Sequence, residues 1–65
     1  MRLSCDELVM AVTKSGEALT VPDIVGRLMD AGYSHIPTTA SIARALQQHP
    51  DFDTVLTRPR QYRRF

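Results

Sequence analysis

Sixty-five residues, 43% of them hydrophobic and 23% charged, have the composition of one small globular domain. A chain this short hides only about 60% of the surface that its extended form exposes, so its core is marginal and leaves little room for a deep catalytic pocket. The single cysteine, Cys5, excludes an internal disulfide framework, and with His35 and His49 fourteen positions apart no multi-cysteine zinc pattern is present.

No apolar run is long enough to span a membrane, and Met1-Arg2-Leu3-Ser4 lacks the apolar stretch of a secretory leader. An intracellular protein is expected, cytoplasmic or nucleoid-associated, or nuclear in a eukaryote. The net charge of +1 implies no partner by itself, but its distribution is uneven. Residues 1–32 carry three basic and five acidic groups, whereas residues 33–65 carry five basic and two acidic ones. All five of those basic residues are arginines, whose planar fork suits phosphates and guanine edges, and four of them fall in the last eight residues.

The first predicted helix runs over about 5–15. Ser4-Cys5-Asp6-Glu7 fits a capping box, and Cys5, Leu8, Val9 and Val12 recur at helical spacing. Lys14 would lie in the last turn and Gly16 would take the left-handed terminal position. Leu19-Thr20-Val21 is read as one short strand at a sheet edge. Thr20-Val21-Pro22-Asp23 then opens a second helix whose apolar stripe is Val21, Ile24, Val25, Leu28 and Met29, with Gly32 as the stop. Gly26 inside it implies a close crossing by another helix.

Residues 33–37 form a connection, because Pro37 disfavours helix at Ile36. Thr38 or Thr39 caps a third helix ending near Gln48. Its inward residues are Ile42, Leu46 and one of Ala43 or Ala45, while Ala40, Ser41, Arg44, Gln47 and Gln48 form a polar face without an acid. After Pro50 the pattern becomes that of strands. Phe52 to Leu56 leads into the turn Thr57-Arg58-Pro59-Arg60, and Gln61 to Phe65 returns as a hairpin. The expected core is Leu8, Val9, Val12, Leu19, Ile24, Val25, Leu28, Ile42, Leu46, Phe52, Val55 and Tyr62, with Phe65 as a further anchor for the returning strand.

Catalysis has little support. Gly16, Gly26 and Gly32 match no phosphate-binding fingerprint, and Ser34, His35 and Ser41 lack an identifiable acid partner. Asp51 and Asp53 would project together from a strand as a solvated pair, and Cys5 reads as a small buried hydrophobe. No enzyme, cofactor, metal site or small-molecule substrate is expected.

The order helix, short strand, helix, helix, strand, strand resembles a minimal winged helix-turn-helix domain. The residues that carry the resemblance are Leu19-Thr20-Val21, Ile24 to Leu28, Thr38 to Leu46 as the third helix, and Phe52 to Phe65 as the wing; together they cover almost the whole chain. It is similar, less specifically, to the HARE-type winged helix, in which a Thr-rich helix is followed by a basic, aromatic terminal strand. The resemblance implies an α+β fold with three helices and a short antiparallel sheet, and duplex DNA as the partner, in a role in transcription regulation.

The third helix would then enter the major groove, with Arg44 bidentate to a guanine and Gln47 and Gln48 on adenine or phosphate. Thr38, Thr39 and Ser41 would bond phosphates near its N-terminus. Arg58 and Arg60, flanking Pro59, would hold the backbone or a minor groove from the wing tip, with Arg63 projecting outward and Arg64 at the edge of the core. The competing reading is a winged-helix module that docks a protein, as an adaptor or small inhibitor. The thin apolar stripe of the third helix leaves room for such a partner or for a second copy of the chain.

Overall fold

The computed structural model describes residues 3–65; Arg2, counted above among the N-terminal charges, lies outside them. The elements are α1 (Cys5–Val12), β1 (Ala18–Leu19), α2 (Val21–Asp30), α3 (Thr39–Gln48), β2 (Phe52–Val55) and β3 (Gln61–Arg64). They follow the order expected from the sequence and form a small α+β structure: three helices against a three-stranded antiparallel sheet of order β1-β3-β2. Among the described residues no helix is long and apolar enough to cross a membrane.

Side chains set where each helix begins. Ser4 Oγ accepts from the Glu7 N–H at 3.2 Å while Glu7 Oε1 accepts from the Ser4 N–H at 3.1 Å, closing a full capping box on α1. Thr20 and Asp23 do the same for α2, at 3.2 and 3.1 Å, with Pro22 in the first turn where its missing N–H costs nothing. For α3 the cap is Thr38, whose Oγ1 accepts from the Ser41 N–H at 3.2 Å. Because Thr20 serves as this cap and Val21 is already helical, the first strand is Ala18–Leu19 rather than residues 19–21.

Helix α1 is shorter than its sequence suggests. It ends at Val12 with Thr13 extended, so Lys14 is not in the last turn and Gly16 is not the terminator. Its final carbonyls find partners elsewhere, which removes the need for another turn. Thr13 Oγ1 donates to the Val9 carbonyl at 2.8 Å, Arg27 Nη1 to that of Val12 at 3.0 Å, and Arg64 Nη1 to those of Met10, at 3.2 Å, and Thr13. Gly16, at φ +87°, instead makes the turn that lets its N–H reach the Arg64 carbonyl at 2.6 Å.

The buried apolar residues are Leu8, Val9, Leu19, Ile24, Leu28, Ile42, Leu46, Phe52 and Tyr62, all expected inside. Val12, Val25 and Val55 are only partly buried. For Val55 the reason is parity. Phe52 pairs with Arg64 and Val55 with Gln61, and residues three apart on a strand point to opposite faces, so both cannot meet the core. Met29 is 63% exposed and Phe65 64%, so neither packs as its pattern suggests. The buried Thr13 was not foreseen; its hydroxyl bond to Val9 is what allows it inside. Asp51 precedes β2, so the two aspartates do not share a strand, and the Asp53 carboxylate faces Arg63.

Apart from the backbone of its own helix and its chain neighbours, no atom lies within 4 Å of a Cβ built on Gly26, so no helix crosses closely there. Gly26→Ala should therefore stabilise the protein by about 0.5–1 kcal/mol through backbone entropy alone, read as a rise in Tm. A second prediction concerns acid. Arg27 chelates Glu17 through two hydrogen bonds of 2.8 and 2.7 Å, and that contact, aided by the Lys14 N–H and partly opposed by desolvation, lowers the Glu17 carboxyl from 4.5 to about 2. A depressed carboxyl contributes stability that is complete above pH 4.5 and disappears as the pH falls through 2. Thermal melts across that range should show Glu17→Gln less stable than the parent at neutral pH, with the two curves converging as the pH approaches 2.

Candidate nucleic-acid interface

Helix α3 buries Ile42 and Leu46 completely and leaves its other side to solvent. Thr38, Thr39, Ala40, Ser41, Arg44, Gln47 and Gln48 are all exposed. No acidic residue lies in the first turn of α3, unlike α1 and α2, so nothing of its own neutralises the positive end of its dipole. At 3.6 residues per turn, Gln47 stands about 60° to one side of Arg44 and Gln48 about 40° to the other. Arg44 thus sits on a crest with a groove on each flank.

The first groove separates α3 from the loop between β2 and β3. Ala43 and Gln47 line it from the helix, Tyr62 from its floor, and Leu56, Arg58 and Arg60 from the loop. The Gln47 amide donates to the Tyr62 hydroxyl at 3.2 Å, which fixes the helix to the central strand. Thr57 orders the loop: its N–H donates to the Val55 carbonyl and its hydroxyl to the Pro59 carbonyl, both at 2.8 Å. Arg58 and Arg60 are exposed and, among the described residues, form no ion pair.

The second groove separates α3 from the N-terminal turn of α1. Ser41, Arg44, Ala45 and Gln48 form one wall, and Cys5 and Asp6 the other. Cys5 is half-buried rather than a core residue, with its thiol 3.7 Å from the Ser41 carbonyl. Desolvation, reinforced by the neighbouring Asp6 charge, raises the thiol pKa and so makes Cys5 a poorer nucleophile. Among the described residues no three potential metal ligands come together.

The sequence-derived site residues divide accordingly. Arg44, Ser41 and Gln48 share the α1-side groove, and Gln47, Arg58 and Arg60 share the loop-side groove. Thr38 and Thr39 line neither; the Thr38 hydroxyl is engaged by the cap and donates to Ser41 Oγ at 3.0 Å. Arg63 does not join this surface. Its register opposite Ala18 and Asp53 puts it on the outer sheet face, 3.4 Å from the Asp53 carboxylate. Sequence reasoning missed Leu56, which is 83% exposed, and Asp6, whose position across the groove from Arg44 depends on how α1 packs on α3. Strand alternation gave no signal for Leu56, which stands four residues from Phe52 and would share its buried face on a longer strand; β2 ends at Val55 instead. For Asp6 there was no signal either.

Comparison with family models, with curated proteins and with solved structures yields no match to this chain. The two neighbouring arginines at its C-terminal end offer a contrast. Arg64→Ala leaves carbonyls at the end of α1 without their donor and should cost about 1–3 kcal/mol. Arg63→Ala removes only a half-exposed pair and should change stability by less than about 0.5 kcal/mol. Urea melts of the two variants test this directly.

Proposed function

We propose that this domain binds duplex DNA as a minimal winged helix-turn-helix, in a regulatory role inside the cell. Helix α3 reads the major groove and the β2–β3 loop, acting as the wing, holds the backbone or the minor groove. The observation that carries the reading is the loop-side groove, where the acid-free face of α3 meets Arg58 and Arg60, two arginines without an ion pair among the described residues. Arg44 on the crest is the side chain suited to a bidentate contact with guanine O6 and N7. Gln48 and the Ser41 hydroxyl flank it as hydrogen-bonding groups. The order of elements and the antiparallel pairing of β2 with β3 support the winged-helix assignment.

One observation favours the docking reading instead. Leu56 is 83% exposed beside Arg58 and Arg60, a combination that also suits an acidic segment of a partner protein with one apolar side chain. Salt titration separates the two. A DNA binder loses affinity with a slope of about 0.9 per phosphate contact in log K against log salt, whereas a docking module shows little duplex affinity even at low salt.

On the DNA reading, Arg44→Ala should cost about 1–3 kcal/mol on a preferred site and relax the preference among sites. Arg58→Ala and Arg60→Ala should weaken binding to all sequences alike and flatten the salt slope by about one unit each. Fluorescence anisotropy with short duplexes reads all three. Parent-like binding by every variant, or no binding by the parent at low salt, overturns the DNA reading in favour of docking.

A further inference from the structure

The groove between α1 and α3 places a carboxylate where a DNA-binding face would be expected to have none. Asp6 is exposed on one wall, and Arg44 and Gln48 stand on the other. Among the described residues Asp6 forms no ion pair with Arg44, so the guanidinium keeps all its donors available. Asp6 is not needed for the cap of α1 either, because Ser4 and Glu7 complete that box between them. On the other flank of the same helix, Arg58 and Arg60 present only positive charge.

A carboxylate that faces an arginine across a groove does not treat all ligands entering that groove alike. A phosphate brings a full negative charge into the groove and meets repulsion from Asp6. The edge of a guanine is neutral and presents two acceptors, so it meets the guanidinium with far less penalty. We infer that Asp6 is a specificity-determining residue: it disfavours phosphate on the Arg44 side of α3 and so reserves Arg44 for a base edge. The attraction for phosphate is thereby confined to the Arg58–Arg60 flank, which fixes the side on which the duplex backbone lies. This inference rests on the duplex-DNA reading and adds to it a repulsive element that discriminates among sites.

The test uses the full chain. A pool of duplexes with a randomised central segment is selected with the parent, and anisotropy then compares the enriched duplex with a scrambled one. Asp6→Asn should bind the scrambled duplex roughly two- to fivefold more tightly, the size of one exposed charge interaction, and leave the enriched duplex nearly unchanged, so that the discrimination ratio falls. Asp30→Asn makes the same charge change at an exposed residue lining neither groove, and should leave the ratio unaltered. On an Arg44→Ala background Asp6→Asn should no longer change the ratio, because Asp6 acts through Arg44.

Equal tightening on both duplexes overturns the inference, as does a fall in ratio that persists without Arg44. A parent that binds duplex without selecting any sequence overturns it too, while the DNA reading stands. A parent that binds neither duplex at low salt removes both.

Discussion

The end of α1 is the joint on which the other elements hang. A helix terminus leaves several carbonyls without intrahelical partners, and in a chain this small there is no bulk to shield them. Two arginines far apart in sequence reach that point. Arg27 comes from α2 and bonds the Val12 carbonyl; Arg64 comes from the last strand and bonds those of Met10 and Thr13. Glu17 then closes the joint from within the connecting turn, chelating Arg27 with its carboxylate and accepting from the Arg64 N–H with its carbonyl at 2.9 Å. First helix, second helix and final strand are thus tied together by groups that each satisfy an otherwise orphaned partner, and such contacts are costly to break singly.

This joint also decides which cations remain for other work. The basic C-terminal segment looks uniform as a sequence, but its arginines have different fates. Arg64 is consumed by the joint and Arg63 faces Asp53 on the outer side of the sheet. Arg58 and Arg60 are left, across a groove from α3, with Arg44 on the crest of that helix. A net charge of +1 gives little long-range attraction, so any electrostatic recognition has to be local. Concentrating around one helix three arginines that form no ion pair among the described residues is how a nearly neutral chain acquires a locally polarised surface.

Most of the fold was legible because the local signals agreed with one another. Ser4 with Glu7 and Thr20 with Asp23 announced two helix starts, and the spacing of Ile24, Leu28, Ile42 and Leu46 named the buried faces. What was not legible depended on distant partners. The early end of α1 follows from Arg27 and Arg64, which no window around Val12 contains. Val55 falls outside the core because a strand alternates its faces and Phe52, three residues earlier, takes the inward one. For the site, the chemistry of Arg44, Gln47, Arg58 and Arg60 could be read from residue type. Their division between two grooves, and the position of Asp6 in one of them, required the packing of α1 and the hairpin on α3.

Gln47 apart, the exposed face of α3 contributes little to holding the molecule together, as the proposed binding role requires. Ile42 and Leu46 anchor the helix, Thr38 caps it, and the Gln47–Tyr62 hydrogen bond sets its distance from the sheet. Arg44 and Gln48 could change without disturbing those contacts, and a change of Ser41 would remove only the hydrogen bond its Oγ accepts from the Thr38 hydroxyl. The opposing loop is held by the two Thr57 hydrogen bonds, so Arg58 and Arg60 are presented on an ordered scaffold. Ordering the loop backbone before association reduces the conformational entropy lost on binding, although the arginine side chains themselves are still immobilised at that step. A 65-residue chain cannot offer a large interface, so on the proposed DNA reading its selectivity would have to come from a few charged groups around a firmly seated helix.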